Sequence, residues 1–202
     1  MTEKKTSIFF SNPLFFPPLP FFHALLHSDL WVILDHLKFS SRTQQTQCKL
    51  RTTTGEVHTM AIPISYPVTK PFHQMKINNF LPWKKRLLSC IRNDYVSTEF
   101  YDLYIDALRN LVEGPCILLE NFNLNVILWI AGRLQINPSY MQTRTLYTRY
   151  PKTKTVTHMC NSYNAEPFKS NIRLHINNRE KDLSALDFLF RVGAEETRKL
   201  IR

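Results

Sequence analysis

The chain has 202 residues and a formal net charge of +10, from 26 lysines and arginines against 16 aspartates and glutamates. Its apolar content of 44%, with 14 Phe and 8 Tyr, is ample for a packed core and excludes global disorder. Only four glycines occur, and neither a GxGxxG nor a Walker-type phosphate loop is present, so dinucleotide-binding and P-loop classes have no support. The positive charge favours an anionic partner.

The N-terminal region is apolar, but four prolines between residues 13 and 22 would break the helix that a signal peptide requires. The same stretch is too short to span a bilayer. The sequence therefore predicts a cytoplasmic protein without a membrane span. The cysteines have neither CxxC nor zinc-finger spacing, which favours isolated thiols in a reducing compartment. They are Cys48, Cys90, Cys116 and Cys160.

The first half of the chain predicts an extended segment and a small sheet. Residues 1–6 are predicted to be a loose tail, and the prolines of 13–22 exclude regular helix or central strand there. His23 to His27 can form one helical turn, and 31–34 is a candidate buried strand. Residues 48–53 and 56–64 flank Thr54-Gly55, which predicts a β-hairpin.

Three helices are predicted from apolar stripes at helical spacing within residues 83–91, 100–111 and 124–134. A basic β/loop segment comes next, and residues 159–181 are predicted to be a loop. Ser184 and Asp187 have capping-box spacing, and Gly193 is placed to end the closing helix that they begin. This order predicts an α+β fold: an extended segment with a small, mostly antiparallel sheet, then three helices, the basic segment and the closing helix, in a single domain 1–202.

Four stretches of the chain occur in a recognisable order. They are LFFPPLPFFHALLHSDLWVILDH at 14–36; Trp83, Lys85, Tyr95, Phe100, Tyr101 and Tyr104 in a W-x-K…Y…F-F/Y-x-x-Y pattern; Asn121-Phe-Asn-Leu124; and LSALDFLFRVG at 183–193. In this order the chain resembles the WbqC-like protein family, in the short form common in Bacteroidota. The resemblance implies a link to O-antigen and other surface-polysaccharide gene clusters, and by that association an acyl or aminoacyl transferase acting on amino sugars.

The chain departs from the family pattern mainly at polar positions. Where the family has Lys, an aromatic residue, Asn-Arg, His, Arg and Asp, this sequence has Ser41, Gln44, Thr46-Gln47, Leu87, Ser89 and Asn121. Core positions persist while charged ones are lost. The departures indicate either a changed specificity or a lost activity.

Asp35 and His36 follow the predicted strand 31–34, and strand ends commonly display catalytic groups. Asp35 can orient or charge-stabilise a histidine that acts as general base, or it can cap backbone amides. We predict Asp35 and His36 as the catalytic pair.

Substrate binding is predicted for two basic clusters. Lys85, which the resemblance supports, lies beside Trp83, and the segment 144–154 interleaves bases with tyrosines. Stacking plus cationic contacts can bind a nucleotide-sugar or single-stranded nucleic acid, although a solvated loop has the same composition. The predicted binding residues are Lys85, Arg144, Tyr147, Arg149 and Tyr150.

Metal and thiol chemistry receive less support from the sequence. His23 and His27 have the i, i+4 spacing of metal ligands. The better explanation is that His27 lies near the surface and that His23 forms a hydrogen bond within the aromatic segment. A Cys-His nucleophile is conceivable for Cys48 with His58, or for residues 158 and 160, without an evident orienting residue. The sequence therefore predicts no metal site and names no cofactor.

Two hypotheses about function remain. The first is a transferase that acts on an amino sugar or nucleotide-sugar, with Asp35 and His36 as acid and base. The second is a non-catalytic family member that binds an anionic partner such as nucleic acid through its basic face. Salt-sensitive binding without turnover would distinguish the second.

Overall fold

The computed structural model describes residues 7–65, 70–145, 176 and 180–202. The strands are β1 (Ile8–Ser11), β2 (Leu30–Ile33), β3 (Gln47–Arg51), β4 (Val57–Ala61) and β5 (Tyr140–Gln142). The helices are α1 (Leu19–Leu26), α2 (Trp83–Tyr95), α3 (Tyr101–Glu113), α4 (Leu119–Arg133) and α5 (Ala185–Leu200), with a 3-10 turn at Phe72–Gln74. Within the described ranges, no helix is both long enough and apolar enough to cross a bilayer.

The predicted α+β class is confirmed, and so is the hairpin, in which β3 and β4 pair antiparallel from Gln47 with Ala61 to Arg51 with Val57. The structure adds a three-stranded sheet of order β1-β2-β5, in which both pairings are parallel. The carboxyl ends of parallel strands meet at one edge. That edge carries the residues that follow β1, β2 and β5, and the candidate site lies there.

The N-terminal aromatic segment forms part of the core. Phe15, Phe16, Phe21 and Phe22 are each at most 1% exposed. The prediction that residues 13–22 contain no helix is wrong at the C-terminal end, since α1 begins at Leu19. Proline is tolerated in the first turn of a helix, where the amide hydrogen that it lacks has no intrahelical partner.

Asn123 holds this segment in place from α4. Its buried side-chain amide donates to the carbonyls of Pro13, at 3.0 Å, and Gln45, at 2.9 Å. An amide nitrogen with two carbonyl acceptors satisfies both of its donors, so the N-terminal segment and the loop before β3 are both fixed to α4.

The predicted helices are confirmed as α2, α3 and α4. The aromatic positions that carry the family resemblance are buried rather than displayed: Trp83, Tyr95, Tyr101 and Tyr104 are at most 6% exposed. The last three pack on Phe190 of α5, with ring centroids 5.0, 5.7 and 6.2 Å away. These aromatic residues of the family pattern therefore serve core packing.

Ser184 begins the closing helix as predicted, since its hydroxyl accepts the amide hydrogen of Leu186. The reciprocal half of the capping box does not form, because the Ser184 amide donates to the carbonyl of Lys49 instead. Gly193 has φ +77° as predicted, yet the helix resumes after this kink and continues to Leu200. A Cβ at Gly193 would lie 2.7 Å from the ring of Phe100, so only glycine fits this close approach.

Asp187 turns inward and is the centre of a buried polar cluster. Its carboxylate accepts from the hydroxyl of Tyr95 at 2.8 Å, from Arg51 at 2.7 Å and from Arg191 at 3.1 Å. Arg51 also pairs with Glu180 at 2.9 Å. Together these contacts join α5 to the hairpin and to α2.

We predict that Asp187→Ala destabilises the protein by about 3 kcal/mol, because it removes the buried carboxylate that two arginines and a tyrosine hydroxyl share as an acceptor. Asp182→Ala is the matched control: Asp182 also pairs with the hairpin, through Lys49, but its side chain is 63% exposed. Its loss should cost less than about 1 kcal/mol. Urea unfolding measures both, and equal losses would contradict the assigned role of Asp187.

Candidate functional site

Asp35 lies just beyond the end of β2 and is fully buried. Its Oδ1 accepts from the hydroxyl of Thr143 at 2.6 Å and from the backbone amide of Arg144 at 3.2 Å. Its Oδ2 lies 2.5 Å from Nε of Arg144. The carboxylate is therefore fixed between β2 and the residues that follow β5.

The tautomer of His36 follows from the hydrogen bonds around it. Its Nδ1 lies 2.8 Å from the hydroxyl oxygen of Thr143. The single hydroxyl proton of Thr143 goes to the Ile33 carbonyl, at 2.9 Å, or to the Asp35 carboxylate, and both of these only accept. Consequently Nδ1 of His36 must donate to Thr143, and in the neutral ring Nε2 carries the lone pair.

Burial lowers the pKa of His36, and the charge of His73 lowers it further, while the Asp35 carboxylate acts in the opposite direction. The net effect is a neutral imidazole near pH 7. Asp35, Thr143 and His36 thus form a relay in which a buried carboxylate orients a neutral base through a hydroxyl group.

Glu120 brings a second carboxylate to the site from the first turn of α4. It is 1% exposed, accepts from the side-chain amide of Gln142 at 2.7 Å, and lies 3.6 Å from Nη2 of Arg144. Burial raises the pKa of Glu120, as does the neighbouring charge of Asp35, against the opposing effects of Arg144 and Gln142. Arg144 therefore lies between two buried carboxylates.

His73 closes the arrangement from the 3-10 turn. Its backbone amide and its Nδ1 both lie within hydrogen-bonding distance of the Asp35 carbonyl, at 3.0 and 2.9 Å. The residues after β2 are thus held by the 3-10 turn as well as by the residues that follow β5. A neutral base, a carboxyl group with a raised pKa and a guanidinium group meet at one sheet edge, which is an arrangement suited to moving protons beside an anion.

The structure brings together Asp35, His36 and Arg144, three of the residues predicted from the sequence. Lys85 is exposed in the first turn of α2, and among the described residues no hydrogen bond or ion pair joins it to this group. Tyr147, Arg149 and Tyr150 lie outside the described residues. Their binding roles stay predictions, as does the catalytic role of Asp35 and His36.

Sequence reasoning missed Thr143, Glu120 and His73. A weak signal was present for Glu120, a charged residue between the apolar run 117–119 and Phe122. Thr143 directly follows the short strand β5, at the start of a segment whose composition is that of a basic loop. Nothing in the local sequence pairs it with Asp35, because the parallel strands that bring them together are far apart in the chain.

The weaker candidates separate in the structure. Nδ1 of His23 donates to the Ile201 carbonyl at 2.7 Å, and His27 is exposed. This agrees with the interpretation of the pair as a hydrogen-bonded histidine and a surface histidine. His58 contacts Cys90 at 3.6 Å, whereas the sequence suggests Cys48 as a conceivable partner for it. Residues 158 and 160 lie outside the described residues.

A family model described as the WbqC-like protein family matches residues 12–173. The match spans Asp35, Glu120 and Arg144, whereas the closing helix, which carries the fourth stretch of the resemblance, follows it. No curated protein and no solved structure matches the chain.

We predict that Glu120→Gln becomes increasingly more stable than the wild type as pH rises from about 4 to about 7. The folded pKa of Glu120 lies above its ordinary value of 4.5, so the stability that the protonated group contributes is present below that pH and lost as pH rises through the folded pKa. Glutamine stays neutral and can still accept from Gln142. Denaturant unfolding at several pH values measures the difference.

The exposed Glu113→Gln serves as the control for this series, and its stability should follow that of the wild type. A Glu120→Gln variant that is less stable than the wild type at pH 7 would contradict the assigned environment.

We also predict that His36 titrates below its ordinary pKa of 6.5, and that Asp35→Asn lowers its pKa further, since the carboxylate is the group that raises it. Proton NMR of the imidazole resonances measures both values, with His36→Gln identifying the signal. A wild-type pKa above 6.5 would contradict the burial described above as the dominant influence on His36.

Proposed function

The chain belongs to the WbqC-like protein family, and on that premise we propose that it transfers an acyl or aminoacyl group to the amine of a nucleotide-linked amino sugar in surface-polysaccharide biosynthesis. The observation that carries this proposal is the relay of Asp35, Thr143 and His36. Amine acylation needs a neutral base near pH 7, and a histidine with a lowered pKa meets that need.

Nε2 of His36 is buried in the structure, so the proposed step requires that the bound substrate reach this atom. The substrate nitrogen then attacks the carbonyl carbon of the donor while Nε2 of His36 takes a proton from that nitrogen. The bond from the carbonyl carbon to the leaving group then breaks, and His36 returns the proton to the leaving group. Asp35, acting through Thr143, holds the ring in orientation and stabilises the imidazolium that forms between the two transfers.

Arg144 supports an anionic substrate. Its side chain is 45% exposed, so Arg144 reaches the surface while its guanidinium group contacts Asp35 and Glu120. The predicted phosphate-binding and stacking residues, Arg149, Tyr147 and Tyr150, follow it directly in the sequence. In this proposal Arg144 links the proton-transfer groups to the segment that holds the nucleotide, and Lys85 supplies a further phosphate contact.

A second candidate function is non-catalytic binding of an anionic partner such as nucleic acid. It is favoured by a shallow groove at the end of α4 and in α5 that four basic side chains line: Arg133, Arg198, Lys199 and Arg202. Lys199 is partly neutralised by Glu195 and Glu196. Because these two carboxylates reduce the positive charge of the groove, the transferase is the better-supported proposal.

We predict that a nucleotide-linked amino sugar raises the melting temperature at both low and high salt, and that acyl transfer to it is detected by mass spectrometry. His36→Gln should lower kcat by about 100-fold or more, because it removes the base. His27→Gln, which changes an exposed histidine at the end of α1, is the matched control and should keep full activity.

Thr143 distinguishes a positioning role from a merely structural one. Thr143→Ser keeps the hydroxyl and should retain activity and the pH profile. Thr143→Val leaves buried partners unpaired, so it should lower the melting temperature, and at temperatures where the variant is fully folded it should also lower kcat and shift the pH profile. Stabilisation only by an oligonucleotide, lost at high salt and without turnover, would refute the transferase and support the binding function.

A further inference from the structure

A second cluster of chemically versatile side chains lies between the hairpin and α2, on elements other than those of the candidate site. It consists of His58 on β4 and of Cys90 and Asp94 on α2. Cys90 and Asp94 are four residues apart, so their side chains share one face of the helix. His58 reaches them from the facing strand.

The three groups already converge on one point. The Cys90 sulfur lies 3.6 Å from Nε2 of His58 and 3.3 Å from Oδ2 of Asp94, and that oxygen lies 2.8 Å from the same nitrogen. All three ligand atoms lie within 4.8 Å of one another.

The triangle of distances agrees with tetrahedral zinc coordination. Zinc bond lengths of about 2.3 Å to sulfur and about 2.1 Å to nitrogen and oxygen place sulfur about 3.6 Å from each of the others, and nitrogen about 3.4 Å from oxygen. The sulfur–nitrogen distance of 3.6 Å already fits, and the sulfur–oxygen distance of 3.3 Å is about 0.3 Å short. The His58–Asp94 contact, now a hydrogen bond of 2.8 Å, must open by about 0.6 Å.

We propose that His58, Cys90 and Asp94 form a binding site for a divalent transition metal, with Zn²⁺ as the expected ion and water as the fourth ligand. A thiolate, an imidazole and a carboxylate are ligands that zinc prefers. The thiolate and the carboxylate together neutralise the charge of the ion. The Asp94 side chain is 10% exposed and that of His58 is 32% exposed, which leaves a path for the ion and for the water.

The same three residue types could instead make a Cys-His-Asp nucleophile, but the geometry does not favour it. Nε2 of His58 is directed to Asp94 at 2.8 Å, and the Cys90 thiol itself donates to Asp94. Burial raises the pKa of Cys90 to about 12, and the hydrogen bond to Asp94 acts in the same direction. The thiol therefore keeps its proton until a metal displaces it to solvent, with a sulfur–metal bond replacing the sulfur–hydrogen bond.

The test uses the full-length protein after chelator treatment and titrates it with Co²⁺, whose spectrum reports its ligands. The expected result is saturation at one equivalent, with visible bands of tetrahedral cobalt and a sulfur-to-cobalt charge-transfer band in the near ultraviolet. Added Zn²⁺ should abolish both and raise the melting temperature. A wild-type titration without the charge-transfer band would overturn the proposal, and this outcome does not depend on whether any variant folds.

The variants identify the ligands. Cys90→Ser should lose the charge-transfer band, and His58→Asn should bind Co²⁺ about 100-fold more weakly, since even changes around metal ligands weaken binding by about 10- to 100-fold. Cys116→Ser is the matched control, because the Cys116 thiol is also partly buried but donates to the Leu118 carbonyl. Unchanged binding in Cys90→Ser, or a loss of the band in Cys116→Ser, would overturn the assignment. Circular dichroism of each variant confirms that it is folded.

Discussion

The buried carboxylate of Asp187 must be neutralised wherever the closing helix docks, because an unpaired charge in the interior costs several kcal/mol. Arg51 of the hairpin, Arg191 of α5 and the hydroxyl of Tyr95 on α2 supply that compensation. The requirement fixes three elements relative to one another, and the stacking of Tyr95 on Phe190 adds apolar packing to it. With α2 held against the hairpin in this way, Cys90 and Asp94 face His58, so the proposed metal site depends on the same docking.

A second buried group of charges has a different balance. Around Asp187, the two carboxylates of Asp187 and Glu180 meet two arginines. At the edge of the parallel sheet, Asp35 and Glu120 share Arg144 among the described residues, and the pKa of Glu120 is raised as a result of burial and of this repulsion. A cluster whose charges are balanced serves stability, whereas one that raises the pKa of a buried carboxyl group is typical of a site that moves protons.

The departures from the family pattern take on a structural meaning here. Leu87, one of the positions at which the resemblance implies a departure, is 1% exposed and belongs to the core of α2, and Thr46 is buried beside the hairpin. The relay of Asp35, Thr143 and His36 is built from other positions. The loss of charge at the departing positions therefore leaves the relay intact, which is consistent with a changed specificity.

The sequence by itself determined the local elements: the turn at Thr54-Gly55 with its hairpin, three helices from their apolar stripes, the Ser184 cap, and Asp35-His36 at a strand end. Each depends on neighbours within a few residues, which periodicity and turn chemistry report. Only the tertiary structure decided the parallel pairing of β2 with β5, which joins distant segments through packing and brings Thr143 to Asp35 and His36. Tertiary partners also outcompeted a local one at Asp187, whose capping-box spacing gave way to Arg51 and Tyr95 because burying its charge requires stronger partners than a backbone amide.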